Sequence, residues 1–236
     1  MLKSKPFTKE ERERYLSALA ESRAQADPAE EMSAFFAKRL GIYENVHLGR
    51  WAEEYAHIAD YLGRETASLL DIGCGTGLEL GSVYARFPAV RVKGIDLSAE
   101  MLSELRKKYA AYSPELVCGD YFAVPFGEEA FDAALSFETL HHFPGEKKGE
   151  LYRKIFRALK KGGRYVECDY VACCEEEEEL CRKDYERRKN VREGYLHIDI
   201  PLTKARQIGL LSAAGFRAET VYENGSTAIF VADKPR

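Results

Sequence analysis

Three glycines alternate with other residues directly after a short apolar run, in the segment Leu69–Gly77 (L-L-D-I-G-C-G-T-G). Glycine at such a bend lets the backbone approach a ligand closely and adopt conformations that a side chain forbids, and the helix predicted to follow presents free N–H groups. A tight turn without a ligand is the alternative, but three glycines cost chain entropy without adding any packing. We therefore predict that a ligand lies across this turn.

The spacing of the glycines and two acids further along the chain indicate the class of ligand. Gly77 follows Gly75 after a single residue, whereas dinucleotide-binding loops have the pattern G-x-G-x-x-G, which disfavours a nicotinamide oxidoreductase. Asp96 ends the next predicted strand, 19 residues after Gly77, where a carboxylate can accept both hydroxyls of a ribose. Asp120 follows the third strand, where it could accept from an exocyclic amine. The pattern predicts an adenosine-bearing ligand without phosphates.

Two adjacent histidines follow the fourth predicted strand, in S-F-E-T-L-H-H-F. Ligands of open α/β sheets bind outside the carboxyl ends of the strands. A histidine with a pKa of about 6.5 could take a proton there from a hydroxyl, amine or thiol acceptor. His142 and His141 are therefore candidate catalytic bases, and Glu138 is a weaker one. The alternative that we favour is that the pair only shapes the pocket.

From residue 67 onward, short apolar runs alternate with helical patterns. This alternation predicts an α/β fold with a mostly parallel sheet and helices on both faces. Asn224-Gly225 is a strong turn signal, so the last two strands should form a C-terminal antiparallel hairpin. The predicted strands cover 67–72, 90–95, 115–118, 131–137, 163–170, 216–223 and 227–232, and the predicted helices cover 78–87, 99–110, 147–160 and 204–214.

Residues 1–64 read as a helical N-terminal extension that precedes the α/β domain, residues 65–236. A capping box, Thr8 with Glu11, predicts a first helix to about residue 24. Asp27-Pro28 predicts the start of a second helix, which should end at Gly41, and a third helix should run from about 51 to 62. Because such helices are marginal alone, we expect them to form a lid on the domain that follows.

Five motifs, in this order, resemble those of the class I S-adenosylmethionine-dependent methyltransferases, which have a seven-stranded Rossmann-like fold. The motifs are L-L-D-I-G-C-G-T-G, G-I-D-L-S-A-E-M-L, C-G-D-Y, F-D-A-A-L-S-F-E-T-L-H-H-F and L-K-K-G-G-R-Y-V-E. The resemblance spans about residues 65–233, including the terminal hairpin. It implies an enzyme that converts S-adenosylmethionine to S-adenosylhomocysteine, and it does not specify the methyl acceptor.

The resemblance also implies a set of cofactor-binding residues. The three glycines would line the methionine and ribose portion, Asp96 would bind the ribose hydroxyls, and Asp120 would bind the adenine amine. Asp71 would organise the loop and reach the cofactor ammonium through water. The predicted set is Asp71, Gly73, Cys74, Gly75, Thr76, Gly77, Asp96, Leu97, Met101, Asp120, Tyr121, Phe137 and Tyr43.

Composition bounds the partners and the location. The chain has 35 basic and 39 acidic residues, a net charge of −4, which argues against a dedicated nucleic-acid-binding protein. No apolar stretch is long enough for a membrane span and the first residues do not read as a signal peptide, so we expect a cytoplasmic protein. The six cysteines contain no C-x-x-C pair, and we expect free thiols and no metal site.

The predicted function is methyl transfer from S-adenosylmethionine to a small-molecule acceptor, mainly by proximity and orientation. The alternatives are a tRNA-base methyltransferase and a non-catalytic S-adenosylmethionine-binding regulator. A helical insertion at about 171–200 should contribute to the acceptor pocket, together with the segment 197–201. Within it, the acids Glu175–Glu179 and the basic residues up to Arg192 are expected to form a solvated helix, the alternative being a site for an anionic acceptor.

Overall fold

The computed structural model describes residues 2–25, 29–189 and 195–236. The helices are α1 (Lys9–Ala24), α2 (Met32–His57), α3 (Leu80–Arg86), α4 (Ala99–Lys108), α5 (Gly145–Ala158), α6 (Glu175–Arg188) and α7 (Lys204–Ala213). The strands are β1 (Ser68–Ile72), β2 (Arg91–Asp96), β3 (Glu115–Cys118), β4 (Phe131–Phe137), β5 (Leu159–Tyr170), β6 (Arg217–Asn224) and β7 (Thr227–Asp233). Within these residues no helix combines the length and the apolar character needed to span a bilayer.

The seven strands form one sheet in the order β3-β2-β1-β4-β5-β7-β6. Strands β1 to β5 pair in parallel, and β7 pairs antiparallel with both β5 and β6. The predicted fold class and the antiparallel hairpin are confirmed. The strand order reverses between β1 and β4, and the crevice at such a reversal is where ligands bind in open α/β sheets.

The sheet is covered on both faces because its central strands alternate apolar side chains to either side. In β1, Leu69 belongs to an apolar cluster with Leu80 and Val83 of α3, whereas Leu70 belongs to a second cluster with Ile155 of α5. Both faces of β1 are thereby buried. Asp71 lies on the same face as Leu69, so its carboxyl group is enclosed in the α3 side of the fold.

The N-terminal helices differ in part from the prediction. The capping box at Thr8 is present, and α1 ends at Ala24 as predicted. The predicted helix end at Gly41 is wrong, because α2 runs through Gly41. The predicted start of a third helix at about residue 51 coincides with a kink at Trp51, beyond which α2 continues to His57. A glycine inside a helix costs only about 1 kcal/mol relative to alanine, which packing of the flanking turns offsets. Asp27-Pro28, the predicted start, lies outside the described residues, and α2 is capped instead by Glu31, whose carboxylate accepts from Ala34 N at 2.8 Å.

Candidate active site

The glycine loop after β1 lies at the sheet reversal and has the backbone that the sequence predicts. Gly73, Gly75 and Gly77 have φ values of +68°, +46° and +72°, in the left-handed region that favours glycine. A Cβ on Gly73 would lie 2.3 Å from Thr139 Oγ1, so the loop that follows β4 packs directly against the glycine backbone. The ends of β1 and β4 therefore meet at one site.

Asp96 joins the end of β2 to this loop. Its Oδ2 accepts from Gly75 N at 2.9 Å, and its Oδ1 accepts from Ser98 N at 2.9 Å. Burial raises the pKa of the Asp96 carboxyl. Leu97 follows Asp96 in the chain, and Met101 is buried on the first turn of α4. Asp96 is thus bonded directly to the glycine loop.

Asp120, at the end of β3, is held by groups from two parts of the chain. Its Oδ1 accepts from Phe122 N at 2.8 Å, and its Oδ2 accepts from Tyr195 OH at 2.9 Å. Tyr121 is buried, with an edge-on contact to Phe143. Tyr195 follows α6 in the chain, so the insertion after β5 reaches the same end of the sheet as the adenine-binding acid predicted from the sequence.

Two buried carboxyl groups lie beneath the glycine loop. Asp71 and Glu79 are 1% and 5% exposed, and among the described residues neither oxygen of Asp71 has a hydrogen-bond partner. Burial and the Glu79 carboxyl raise the pKa of Asp71 well above its usual range, and burial raises the pKa of Glu79 to about 7. Such a pair of acids without a cationic partner is a place where a cationic ligand group is favoured.

Helix α2 crosses over the loop. The Tyr43 hydroxyl would lie 3.3 Å from a Cβ on Gly75, and burial raises the Tyr43 pKa well above its usual value. Glu44 forms an ion pair with Lys108, whose ammonium also donates to Thr76 O at 3.2 Å. Tyr43 therefore lies against the glycine loop and Thr76 within it, whereas Phe137 stacks on Tyr55 with ring centres 3.9 Å apart. Phe137 belongs to the apolar cluster under α2.

A cavity of about 460 Å³ is lined in part by Tyr43, the residue of α2 that contacts the glycine loop. Its walls come from α1, from the first half of α2 and from residues that follow α6. Its floor is the end of β4. The lining includes Tyr15 and Arg23 of α1, Phe36, Tyr43 and His47 of α2, Glu138, His141 and His142 after β4, Tyr170 of β5, and His197 and Asp199. The predicted contribution of the segment 197–201 to a pocket agrees with this lining.

Both histidines lie at the floor of the cavity, and three acids, Glu138, Asp169 and Asp199, surround them. His141 Nδ1 lies 2.6 Å from Asp169 Oδ1, and His142 Nδ1 lies 3.2 Å from Asp199 Oδ1. Although burial lowers it, the Asp169 carboxylate raises the pKa of His141 to about 9, whereas burial and His141 lower the pKa of His142. Burial raises the pKa of Glu138 to about 8. At neutral pH, His142 is thus the member of this pair whose ring is uncharged.

Asp169 and Asp199 were not among the predicted site residues. Asp169 lies at the end of β5, 28 residues after His141, and Asp199 lies 58 residues after it, so no local spacing connects them. One signal was available for Asp169. It is a charged residue near the end of a strand that is otherwise buried, in V-E-C-D, and buried acids mark functional sites more often than core positions.

The acidic run and the basic stretch on α6 differ from the solvated helix expected. Glu177 is fully buried and accepts from Tyr15 OH at 2.7 Å, and Glu178 is buried and pairs with Arg206. Asp184 is also buried, with Arg23 at 3.1 Å and Arg188 at 3.0 Å. The expectation was wrong for these acids because α1 and α7 pack on them. Arg192 lies outside the described residues.

Comparisons with known proteins agree with this geometry. Residues 69–163 match the family described as "Methyltransferase domain". The match covers less than half of the chain, and it bears out the resemblance to the class I S-adenosylmethionine-dependent methyltransferases. The match covers the glycine loop, β2, β3 and the histidines after β4. The helices and the segment that form the walls of the cavity lie outside the match.

Two relatives indicate the range of proteins that this chain resembles. The chain is 34% identical over 130 residues to 24-methylenesterol C-methyltransferase 3 of Arabidopsis thaliana, covering 53% of the chain and 34% of the relative. It is 29% identical over 161 residues to O-methyltransferase cnsE of Penicillium expansum, covering 61% of the chain and 56% of the relative. The chain thus spans about a third of the length of the sterol methyltransferases that it matches.

Solved structures of other proteins share the fold of this chain. An O-methyltransferase structure from Nostoc punctiforme superposes with a TM-score of 0.64 at 21% identity, covering 94% of this chain and 68% of that one. Human N-acetylserotonin methyltransferase, solved in complex with S-adenosylmethionine, gives 0.60 at 17% identity, covering 97% and 57%. Both likenesses extend over the N-terminal helices as well as the sheet.

Proposed function

We propose that this chain transfers a methyl group from S-adenosylmethionine to a small-molecule acceptor held in the cavity above His141 and His142. One observation carries the proposal. The cavity opens at the carboxyl end of β4, and Tyr43, which lines it, lies against Gly75 of the glycine loop, so an acceptor in it is one side chain away from the place where the family binds its methyl donor. The relatives, which act on a sterol and, by name, as an O-methyltransferase, support a small-molecule acceptor.

The residues present fit S-adenosylmethionine. The cofactor carries an ammonium group and a sulfonium group, and Asp71 and Glu79 are buried acids that lack a cationic partner among the described residues. Asp96 presents a carboxylate at the end of β2, where ribose hydroxyls are bound in nucleotide-binding α/β folds. The left-handed glycine backbone leaves room for the ligand to lie against the loop. When bound, the cofactor supplies an already activated methyl group.

The protein's own contribution is positioning. Tyr43 and Phe36 line the cavity, and an acceptor packed against them would displace water from the reacting atoms. Holding the acceptor in line with the methyl group can supply about 7–11 kcal/mol through effective molarity. His142, uncharged and buried at the floor, is the group that can take the acceptor's proton, because His141 is already protonated at neutral pH by its pairing with Asp169.

The charge on α6 supports a small acceptor over tRNA. The basic side chains that could grip a phosphate backbone are engaged by acids of the same helix: Arg182 by Glu179 at 2.7 Å, and Arg187 by Asp184 at 2.6 Å. Non-specific nucleic-acid binding depends on cations that are available to neutralise phosphates. The charged side chains of α6 therefore serve to pack α1 more than to bind RNA.

Asp96 gives the test of cofactor binding. Asp96→Ala should weaken S-adenosylmethionine by about 1.5–3 kcal/mol, because hydrogen bonds to a charged group are lost. Titration calorimetry on the purified chain measures this, with Asp60→Ala, an exposed acid outside the site, as the matched control. Undiminished affinity in Asp96→Ala would contradict the assignment. A screen of cell extract with labelled cofactor then identifies the acceptor, and label in bulk tRNA would show the alternative substrate class.

A further inference from the structure

Three metal-ligating side chains converge at the floor of the acceptor cavity. His141 and His142 follow β4, and Asp199 follows α6; all three line the cavity. One donor atom from each lies within 4.8 Å of the other two. We propose that His141, His142 and Asp199 form a binding site for a divalent cation of the zinc class, with an open coordination position toward the acceptor. Its role in methyl transfer rests on the proposed function, whereas the binding itself does not.

The distances suit a small first-row ion. In tetrahedral coordination with bonds of about 2.0–2.2 Å, ligand atoms are about 3.4 Å apart. Asp199 Oδ1 lies 3.2 Å from His142 Nδ1 and 3.7 Å from His141 Nε2. Both nitrogens therefore lie within a few tenths of an ångström of the ideal separation from one carboxylate oxygen, and all three donor atoms lie within 4.8 Å of one another. Small side-chain rotations would complete the geometry.

His142 supplies an independent observation that points to a ligand. It is 5% exposed, and its Nδ1 has no hydrogen-bond partner among the described residues. Its approach to Asp199 is close but lacks hydrogen-bond geometry. A buried ring nitrogen without a partner costs about 1–3 kcal/mol, so such atoms in native proteins call for an unseen partner. A cation between Nδ1 and Asp199 would be that partner.

The other two ligands are oriented by neighbours of the kind found behind metal-bound residues. His141 Nδ1 is paired with Asp169 Oδ1 at 2.6 Å, and its Nε2, 3.7 Å from Asp199 Oδ1, would release its proton to solvent when the ion binds. A carboxylate behind a histidine ligand fixes its tautomer and its ring plane. Asp199 uses Oδ1 toward the histidines, while its Oδ2 lies 3.8 Å from Arg23 on α1. Both ligands are thus held in place by groups that do not enter the site.

The donor set selects the metal. Two imidazole nitrogens and one carboxylate suit Zn²⁺ and its neighbours, whereas Mg²⁺ and Ca²⁺ prefer oxygen ligands. Three protein ligands leave one position open, as in catalytic zinc sites. With the ion bound, His142 would serve as its ligand and not as the base, and a hydroxyl or thiol of the acceptor bound there would lose its proton to solvent more easily. Its lone pair then forms the bond to the methyl carbon as the carbon–sulfur bond breaks, and that bond's electrons stay on sulfur, giving neutral S-adenosylhomocysteine.

The test is metal binding by the full chain, without cofactor or acceptor. After removal of metals with a chelator, titration calorimetry with Zn²⁺ should give one ion per chain, and Co²⁺ should show the visible bands of a four- or five-coordinate site. Both signals should be lost in His142→Ala and in Asp199→Asn. Asp169→Asn should weaken Zn²⁺ by about 10–100-fold, the effect expected of a group behind a ligand. Circular dichroism checks folding, and the partly exposed Asp199 keeps the test open if His142→Ala does not fold.

Three controls separate this site from others. His57→Asn, an exposed histidine, should leave the affinity for Zn²⁺ unchanged. Glu138→Gln should also retain binding, since Glu138 belongs to a second cluster with His141 and Asp169. The same holds for the double variant Cys173→Ser with Cys174→Ser, whose sulfurs lie 3.9 Å apart. Loss of Zn²⁺ in any of these controls, or unchanged binding in Asp199→Asn, would overturn the proposal.

The two proposals can fail separately. S-adenosylmethionine affinity is measured in chelator, where no metal is bound, and Zn²⁺ affinity is measured without the cofactor. A chain that binds Zn²⁺ at this site but transfers no methyl group would contradict the proposed function and leave the metal site standing. A chain that transfers methyl groups at full rate and binds no Zn²⁺ would contradict the metal site alone.

Discussion

Glu79 shows how a single buried carboxyl couples this site to pH. It is 5% exposed, one of its oxygens has no hydrogen-bond partner among the described residues, and burial raises its pKa to about 7. In the unfolded chain its pKa returns to 4.5. Between about pH 4.5 and pH 7, Glu79 in the folded protein therefore keeps a proton that it has released in the unfolded chain.

The sign of the resulting stability change is fixed by that difference. The contribution of Glu79 to the free energy of unfolding is fully present below about pH 4.5 and is lost as the pH rises through about 7. In the unaltered chain the free energy of unfolding should fall by on the order of 3 kcal/mol between these limits, and Glu79→Gln should abolish this fall. Denaturant unfolding of the apoprotein at several pH values measures it, with the exposed Glu65→Gln as control. Parallel curves for Glu79→Gln and the unaltered chain would contradict the assignment.

The residue scale also sets a limit on what the sequence could predict. Gly73 to Gly77 and Asp96 were identifiable because one loop and one strand end carry a recognisable pattern, and the backbone there is as predicted. Asp169 and Asp199 were not identifiable as partners of His141, because the folded chain alone brings them together. Their effect on the pKa of both histidines depends on that convergence, so the roles of the histidines could not be distinguished from the sequence.

Helix α2 is an element with two differently anchored halves. Beyond the kink at Trp51, its second half is fixed: Trp51 Nε1 donates to Thr227 Oγ1 at 2.9 Å, and Glu54 accepts from Tyr222 OH at 2.7 Å. Its first half lies over the glycine loop and is joined to α4 through Glu44 and Lys108. Because Trp51 has non-helical backbone angles, it is the natural hinge between the halves.

This arrangement makes the lid hypothesis testable at the element scale. Glu44→Gln removes a partly exposed ion pair worth about 0–1 kcal/mol, so thermal stability should change little while release of S-adenosylmethionine becomes faster. Stopped-flow measurement of cofactor release is the readout. Glu53→Gln, an exposed acid on the fixed half of the same helix, is the matched control. An identical release rate in the two variants would count against a lid that opens at the Glu44 end.

The error in α2 has a physical cause. Gly41 reads as a helix end in the sequence, but a glycine stops a helix only where nothing holds the next turn. Here Phe36 and Tyr43 on either side of Gly41 contact each other edge-on at 6.0 Å, and Tyr43 also packs on His47 at 4.0 Å. Tertiary packing of these rings overrides the local propensity, and local sequence cannot report it.

At the scale of the whole molecule, α1 is attached to the sheet domain from outside. It has no buried residue of its own, yet Tyr15 reaches Glu177 on α6 and Arg23 reaches Asp184. Lys5, just before it, bridges to Asn224 at the hairpin. The core clusters on both faces of the sheet contain no residue of α1.

Deletion of residues 2–25 should therefore leave the sheet folded while opening the acceptor cavity. We expect far-ultraviolet circular dichroism to lose only the signal of one helix, S-adenosylmethionine to bind still, and methyl transfer to fall sharply, because Tyr15 and Arg23 leave the cavity wall. Calorimetry and an activity assay on the same preparation measure both. Loss of cofactor binding along with activity would indicate that α1 supports the whole fold.

Most of the fold was predictable from the sequence, and most of the cavity was not. The alternation of apolar runs from residue 67 gave strand positions within a few residues, and the Asn224-Gly225 turn placed the hairpin. The cavity depends on contacts between α1, α2 and the segment after α6, which are far apart in the chain. The cytoplasmic location and the division at residues 64 and 65 stay predictions.

The cavity is built from two sources, and this matters for how such a protein changes over time. Its floor, with His141 and His142, belongs to the part of the chain that matches the family, residues 69–163. Its walls come from α1, α2 and residues 197–199, all outside that match. Mutations in α1 can therefore alter which acceptor fits while leaving in place Tyr43, which contacts the glycine loop, and Asp199, which lies against the histidines. New acceptors are thus open to evolution, and to an engineer who exchanges α1, with the chemistry of the floor retained.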